Sequence, residues 1–503
     1  MLISSVYFML FFPFALFIYY KLPESHKNTF LLILSYALYL YGGIPYGLFM
    51  LFATFVTYRC GLLLGNAKGQ VGKRRVILVI TILLNLSDLV FFKYFNTLSL
   101  PALQTLAKIG FHYSENARRL LAPLGISFYT FQTIGYVADV YTQKIQPEQS
   151  FSTYSLFVSF FPQVAMGPIG RADKLLPQLH SPRPFVYLNI TNGMRRMAFG
   201  FFKKFAVADV LAVYVNTAHS NIEAHSGSIL FIIAVLYTFQ LYADFSGYAD
   251  IAIGCAEAFG LKLEDNFKTP FFATSITKFW NRWHISLSSW FKDYIYIPLG
   301  GSRKGRLRYY LNLAIVFLVS GIWHGDSLNY LVWGATHAFI RVVEALIESA
   351  RRKKSGTNKP PAPSTPATIA KTAFTFFYFT FSLVIFKLPT VQGGIQYFVR
   401  MFSKGTSPVT SQLFSFVQTG FDNTPIIAYG FVAFSIITFI MLCSMEWYTC
   451  FVLKNGSLAK KLGSLKPATR WACYYILVAV IFAAFLMQSG GLGDSSAFIY
   501  AQF

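Results

Sequence analysis

Apolar runs of about 18–22 residues recur along the whole chain, the length at which a helix crosses a hydrocarbon core of about 30 Å. The clearest are Leu2–Tyr20, Asn28–Gly43, Tyr46–Gly65, Arg75–Tyr94, Tyr309–His324, Leu328–Ser349, Ile369–Lys387, Pro425–Met445 and Arg470–Met487. With 55% hydrophobic and 13% charged residues, a 503-residue chain of this pattern reads as an all-α polytopic membrane protein. Helices are expected because a backbone in lipid must satisfy its own hydrogen bonds. The first run lacks a basic leader and a small-residue cleavage site, so it is expected to be the first span and not a signal peptide.

A net charge of +23 could point to nucleic acid, but the basic residues sit in short clusters between apolar runs, so topology explains them and no nucleic-acid partner is expected. The clusters Lys68–Arg75, Gly301–Arg308, Arg351–Lys354 and Lys460–Lys466 are assigned to the cytoplasm. Alternate crossings counted outward from them put both termini outside and require an even total, about 12 spans with three in the unclear middle. The five cysteines have neither zinc spacing nor the pattern of a disulfide framework and read as packing residues. No metal site is expected.

Residues 351–368 form a Pro/Ser-rich basic stretch, expected to be a disordered cytoplasmic linker between a core at 1–350 and C-terminal spans at 369–503. In the middle third, Ala122–Tyr141 and Thr238–Gly254 mix Gly, Ser, Tyr and Asp into apolar sequence, and both are expected to be cavity walls or re-entrant pieces. Thr274–Gly301 alternates charge with Trp, Phe and Tyr. It is expected to form an amphipathic interfacial helix, N-capped by Thr274 or Ser275, with Trp280, Trp283 and Trp290 at the interface.

Ionisable residues at membrane depth are the candidates for chemistry, since an Asp, Lys or Arg there costs about 2.5–3.5 kcal/mol even on insertion scales. In "VSGIWHGDSLNYLVWGATHAFI", Val319–Ile340, a helix rising from Arg308 puts His324 about 24 Å into the bilayer. His337, in the next run without a recognised motif, reads as a packed, hydrogen-bonded histidine. Asp326 either orients His324 or ends its helix. Asp244 and Asp250 either tune a site or brace a broken helix through backbone hydrogen bonds. Arg171 and the cluster Arg303, Lys304, Arg306 and Arg308 could grip phosphates of a nucleotide-like donor, yet the positive-inside rule already accounts for the cluster.

Five segments taken together, "PLGISFYTFQTIGYVADVY", "FPQVAMGPIGR", "LYADFSGYADIAIG", "ITKFWNRWHISLSSWFKDYIYIPLGGSRKG" and "SGIWHGDSLNYLVWGATHA", resemble the bacterial branch of the membrane-bound O-acyltransferases. The likeness is to the membrane subunits for alginate and peptidoglycan O-acetylation. It runs to about residue 345, and the tail "SSAFIYAQF" is similar to alginate-type members. The resemblance implies a ring of tilted helices around a thin centre, a cytoplasmic opening for the donor and an extracellular funnel for the acceptor. It makes His324 of "WHG" the catalytic histidine and His284 of "RWHISLS" a second functional one. Asp244, Trp283, Trp323 and Asp326 are the accompanying candidates for substrate binding.

It further implies acetyl-CoA as co-substrate with no permanently bound cofactor, a cell-envelope or secreted polysaccharide as acceptor, membrane lipid as surroundings, and an extracytoplasmic SGNH-hydrolase-like partner acetyltransferase. The location implied is the bacterial cytoplasmic (inner) membrane. The chemistry agrees: moving an acyl group from thioester to hydroxyl needs a base near neutrality, which imidazole supplies, and burial keeps it neutral. Two other readings stay open. One is D-alanyl transfer to teichoic acid from a carrier-protein thioester. The other is a non-catalytic polysaccharide or acyl transporter using its histidines as a proton relay.

Overall fold

The computed structural model describes residues 5–108, 123, 125–355, 364–403, 405, 408–418 and 425–489, and every regular element among them is helical. Among the described residues, seven helices are long and apolar enough to cross a membrane: Ile44–Asn66, Val71–Phe95, Gly227–Ala258, Leu328–Arg351, Thr365–Lys387, Ile426–Val452 and Pro467–Met487. Tyr7–Lys21 is a shorter apolar helix. The expected runs at 28–43 and 309–324 are helical too, as Glu24–Leu40 and Arg306–His324, but lie outside those seven. Exposed apolar side chains line several of these helices, such as Ile426, Ile436 and Ile440 on one and Tyr475, Ile476 and Phe482 on another, the surface a lipid-facing helix requires. The chain is an all-α polytopic membrane protein.

It divides into two compact units, Met1–Met194 with Ala252–Glu264, and Arg195–Ile251 with Asp265–Phe503. In the first, Ile126–Tyr141 is one continuous helix buried almost all round. Within the unit, Thr133 Oγ1 donates to Asn85 Oδ1 at 3.1 Å. The helix starts at Gly125, with φ +76°, where a Cβ would lie 1.7 Å from the Val164 carbonyl oxygen, so no other residue fits. Arg74, from a basic cluster assigned to topology alone, is buried and donates to the carbonyls of Leu64 (2.7 Å), Val140 (3.1 Å) and Tyr141 (2.6 Å). Its cation thereby faces the negative ends of two helices.

Thr238–Gly254 is not broken. It lies within a single 32-residue helix, Gly227–Ala258, because its small residues serve close packing instead of ending the helix. A Cβ on Gly247 would lie 2.8 Å from the Gly200 carbonyl oxygen and 3.1 Å from Lys203 Cβ. The expectation of one helix through Thr274–Gly301 also fails. Ser275 caps a helix of only five residues, Ile276–Trp280, and a second begins at Ile285, with His284 between them at φ +45°. Trp283 and Trp290 are 4% and 5% exposed and pack inside the protein. Helix Leu328–Ser355 takes in the first residues of the basic stretch, and the next helix begins at Thr365. Residues 356–363 and the 495–503 tail lie outside the described residues.

Candidate active site

His324 is the last residue of helix Arg306–His324, which ends as the chain enters Gly325, Asp326 and Ser327 and turns back into Leu328–Ser355. The two helices meet backbone to backbone. A Cβ on Gly321 would be 2.5 Å from the Tyr330 carbonyl oxygen, and one on Gly334 would be 2.5 Å from that of Phe317. This crossing sets His324 into an aromatic cage of Trp323 (4.6 Å between ring centroids), Phe386 (4.9 Å), Trp333 (5.1 Å) and Tyr330 (6.4 Å), where it is 5% exposed. Asp326 lies past the helix end and is exposed.

Trp323 also neighbours His284, with ring centroids 6.4 Å apart, so one indole is close to both histidines. Trp333 in turn is close to both His324 and His337, which is fully buried, with Nε2 3.1 Å from Ser382 Oγ and its ring stacked on Phe317. The helix hairpin and the short helices at 276–291 thus gather His284, Trp323 and His324, while Trp283 packs on Phe279, Phe267 and Phe379 in the adjoining core.

His284 is held in a conformation that a bulky residue seldom adopts, at about 1–3 kcal/mol, so its surroundings must fix it. The peptide on one side donates Ile285 N–H to the Asn266 carbonyl at 3.0 Å, and Asn266 Oδ1 lies 3.1 Å from Ser286 N, 3.0 Å from Ser286 Oγ and 3.2 Å from His284 Nδ1. Phe245 meets the ring edge-on at 4.7 Å. His284 lies outside the seven long apolar helices, and burial pushes its imidazole down to about 3, so it is neutral at physiological pH. The preceding short helix is clasped from outside. Glu344 of the Leu328–Ser355 helix accepts from Ile276 N (3.0 Å), Thr277 N (2.9 Å) and Thr277 Oγ1 (2.5 Å), and Arg341 pairs with both Glu344 and Thr277.

Asp244, one residue before Phe245, is 1% exposed and bonded at 2.8 Å to Lys204, which also reaches Asp209 at 2.8 Å. Asp250 takes Lys203 and Arg196, each at 3.0 Å; Lys203 reaches Glu446 at 3.7 Å and Arg196 reaches Asp265 at 2.7 Å. Both lysines stand on a π-helical turn, Phe202–Ala208, a local widening that recurs at functional sites. So both aspartates are held in ion pairs with side chains, and not in backbone bracing of a break, the second of the two readings the sequence left open. The two basic pairs, "RR" and "KK" in "MRRMAFGFFKKFAVAD", were the available signal, because cations in apolar sequence demand partners. Asn266 had no such signal. Arg303, Lys304, Arg306 and Arg308 are exposed at the start of the His324 helix.

The membrane-bound O-acyltransferase family model matches residues 144–388, a span that contains His284, Trp323 and His324. The chain is 34% identical to the probable alginate O-acetylase of Pseudomonas putida over 86% of each protein. It is 36% identical to the peptidoglycan O-acetyltransferase of Helicobacter pylori, over 56% of this chain and 57% of that one. To the teichoic acid D-alanyltransferase of Bacillus subtilis it is 27% identical, over 53% of this chain and 69% of the other. A cage of aromatic rings around a helix-ending histidine in a polytopic all-α chain, together with a third of its residues shared over most of its length, make this chain a member of the membrane-bound O-acyltransferase family.

Proposed function

We propose that the protein is an O-acetyltransferase of the bacterial cytoplasmic membrane. In this reading it passes an acetyl group from a cytoplasmic thioester, acetyl-CoA, to a hydroxyl of an envelope or secreted polysaccharide. The observation that carries the reading is the seat of His324, a buried imidazole closing a helix among aromatic rings. The likeness to an alginate O-acetylase over most of the chain favours acetyl over D-alanyl transfer, for which the likeness is lower and covers about half of it. His324 takes the proton of the attacking hydroxyl as the new C–O bond forms; the C–S bond breaks, and the proton passes to the departing thiolate, which leaves as free thiol. An extracytoplasmic SGNH-hydrolase-like partner would complete the modification where the acceptor is not reached directly.

The test is transfer of labelled acetyl from acetyl-CoA by purified protein, with alginate or peptidoglycan fragments as acceptor, comparing wild type with His324→Ala. Label in the acceptor and thiol release that depend on His324 support the reading. A protein that moves polysaccharide across vesicles but transfers no label is a transporter, and the proposal fails.

A further inference from the structure

The contacts around Asn266 determine which nitrogen of His284 carries its proton. The Ser286 backbone N–H can only donate, so the Asn266 side-chain atom facing it at 3.1 Å must be the carbonyl oxygen and not the amide nitrogen. That same oxygen lies 3.2 Å from His284 Nδ1. An acceptor opposite Nδ1 leaves one solution for a neutral ring: Nδ1 is protonated and Nε2 carries the lone pair. Asn266 is itself fixed, since it is 1% exposed and its own backbone carbonyl accepts from Ile285 N–H. One residue therefore holds the backbone on the far side of His284 and reads the ring, and the left-handed turn at His284 brings Nδ1 to the same oxygen as the Ser286 peptide.

We propose that Asn266 is a positioning residue that sets His284 in its Nδ1–H tautomer, so that Nε2 is the nitrogen with which His284 accepts a hydrogen bond or a proton during acyl transfer. The tautomer itself rests on this geometry, in a ring that burial keeps neutral. Its use in transfer rests on the acyltransferase reading above.

The experiment is nitrogen NMR on full-length protein labelled with 15N-histidine in bilayers, the His284 signals being identified by their loss in His284→Gln. In the wild type the His284 pair is expected at the shifts of a protonated Nδ1 and a bare Nε2. In Asn266→Leu, of similar volume but without an acceptor, the ring is expected to pass mainly to the Nε2–H form; in Asn266→Asp, which keeps an acceptor oxygen, Nδ1 stays protonated. A bare Nδ1 in the wild type overturns the proposal whatever the enzyme does, and it needs no variant to fold. For the transfer step, Asn266→Leu is expected to lower kcat roughly 10²-fold or more with KM for the donor little changed, whereas Asn266→Asp, which keeps the acceptor oxygen, retains more of it than Asn266→Leu. An altered tautomer with unchanged kcat removes the role in transfer. Absence of transfer in the wild type, with the expected tautomer, defeats the functional reading and leaves the tautomer assignment standing.

Discussion

Replacing His324 with alanine should abolish acyl transfer while leaving the protein folded and inserted. The rings around it still meet one another, Trp333 and Phe386 at 5.3 Å between centroids, whereas proton transfer by a positioned base is worth roughly 10²–10⁴-fold. Size-exclusion elution and turnover of the purified variant check both halves, and near-normal turnover would remove the assignment. Lys204→Met should act on stability instead. It leaves Asp244 and Asp209 without their shared cation in a buried place, a change of about 3–5 kcal/mol, read as a lowered unfolding midpoint in detergent. The double change Lys204→Met with Asp244→Asn should recover part of that loss, and a single variant as stable as the wild type would show that the pair contributes nothing. His324 was legible in the sequence because an imidazole within a membrane-length run is costly to keep unless it lines a polar cavity or takes part in chemistry. Asn266 was not, since an asparagine in "EDNFKTP" looks like any turn residue until the peptide of Ser286, twenty positions on, is seen to point at it.

At the scale of helices, the crossing of Arg306–His324 with Leu328–Ser355 depends on two missing side chains. Gly334→Val would place new carbon against the Phe317 carbonyl, where even a Cβ comes within 2.5 Å, so the helices must part and His324 must move relative to Trp333. Such a variant should keep its membrane insertion and lose most of its turnover, because misplacement by about 1 Å can cost roughly 10²-fold; wild-type activity would mean that the crossing does not set the site. The positions of the helices could be read from the sequence, as uncharged runs of that length leave the backbone no other arrangement. Their internal character could not. Gly247 and Asp244 look like interruptions in a linear reading, and only the neighbouring helix, with Gly200 at the contact and Lys204 at the charge, turns them into packing and pairing. Likewise the alternation through Thr274–Gly301 continues across a break that is visible only in the positive φ of His284.

For the molecule in its membrane, the basic clusters predict a sidedness. With the native cysteines removed, a cysteine in place of Lys353 should react with a membrane-impermeant maleimide only after cells are opened, and one in place of Ser327, just past His324, should react from outside. Labelling of position 353 in intact cells would reverse the direction of transfer. The clasp of Glu344 and Arg341 on Thr277 has its own consequence over evolutionary time. Glu344 satisfies two peptide N–H groups and a hydroxyl at the head of the short helix that leads to His284, yet it stands on the helix that follows His324. Positions 277, 341 and 344 are therefore inherited as a set: in the descendants of this sequence a change at one should be found only alongside compensating changes at the others, even where the surrounding surface has drifted freely.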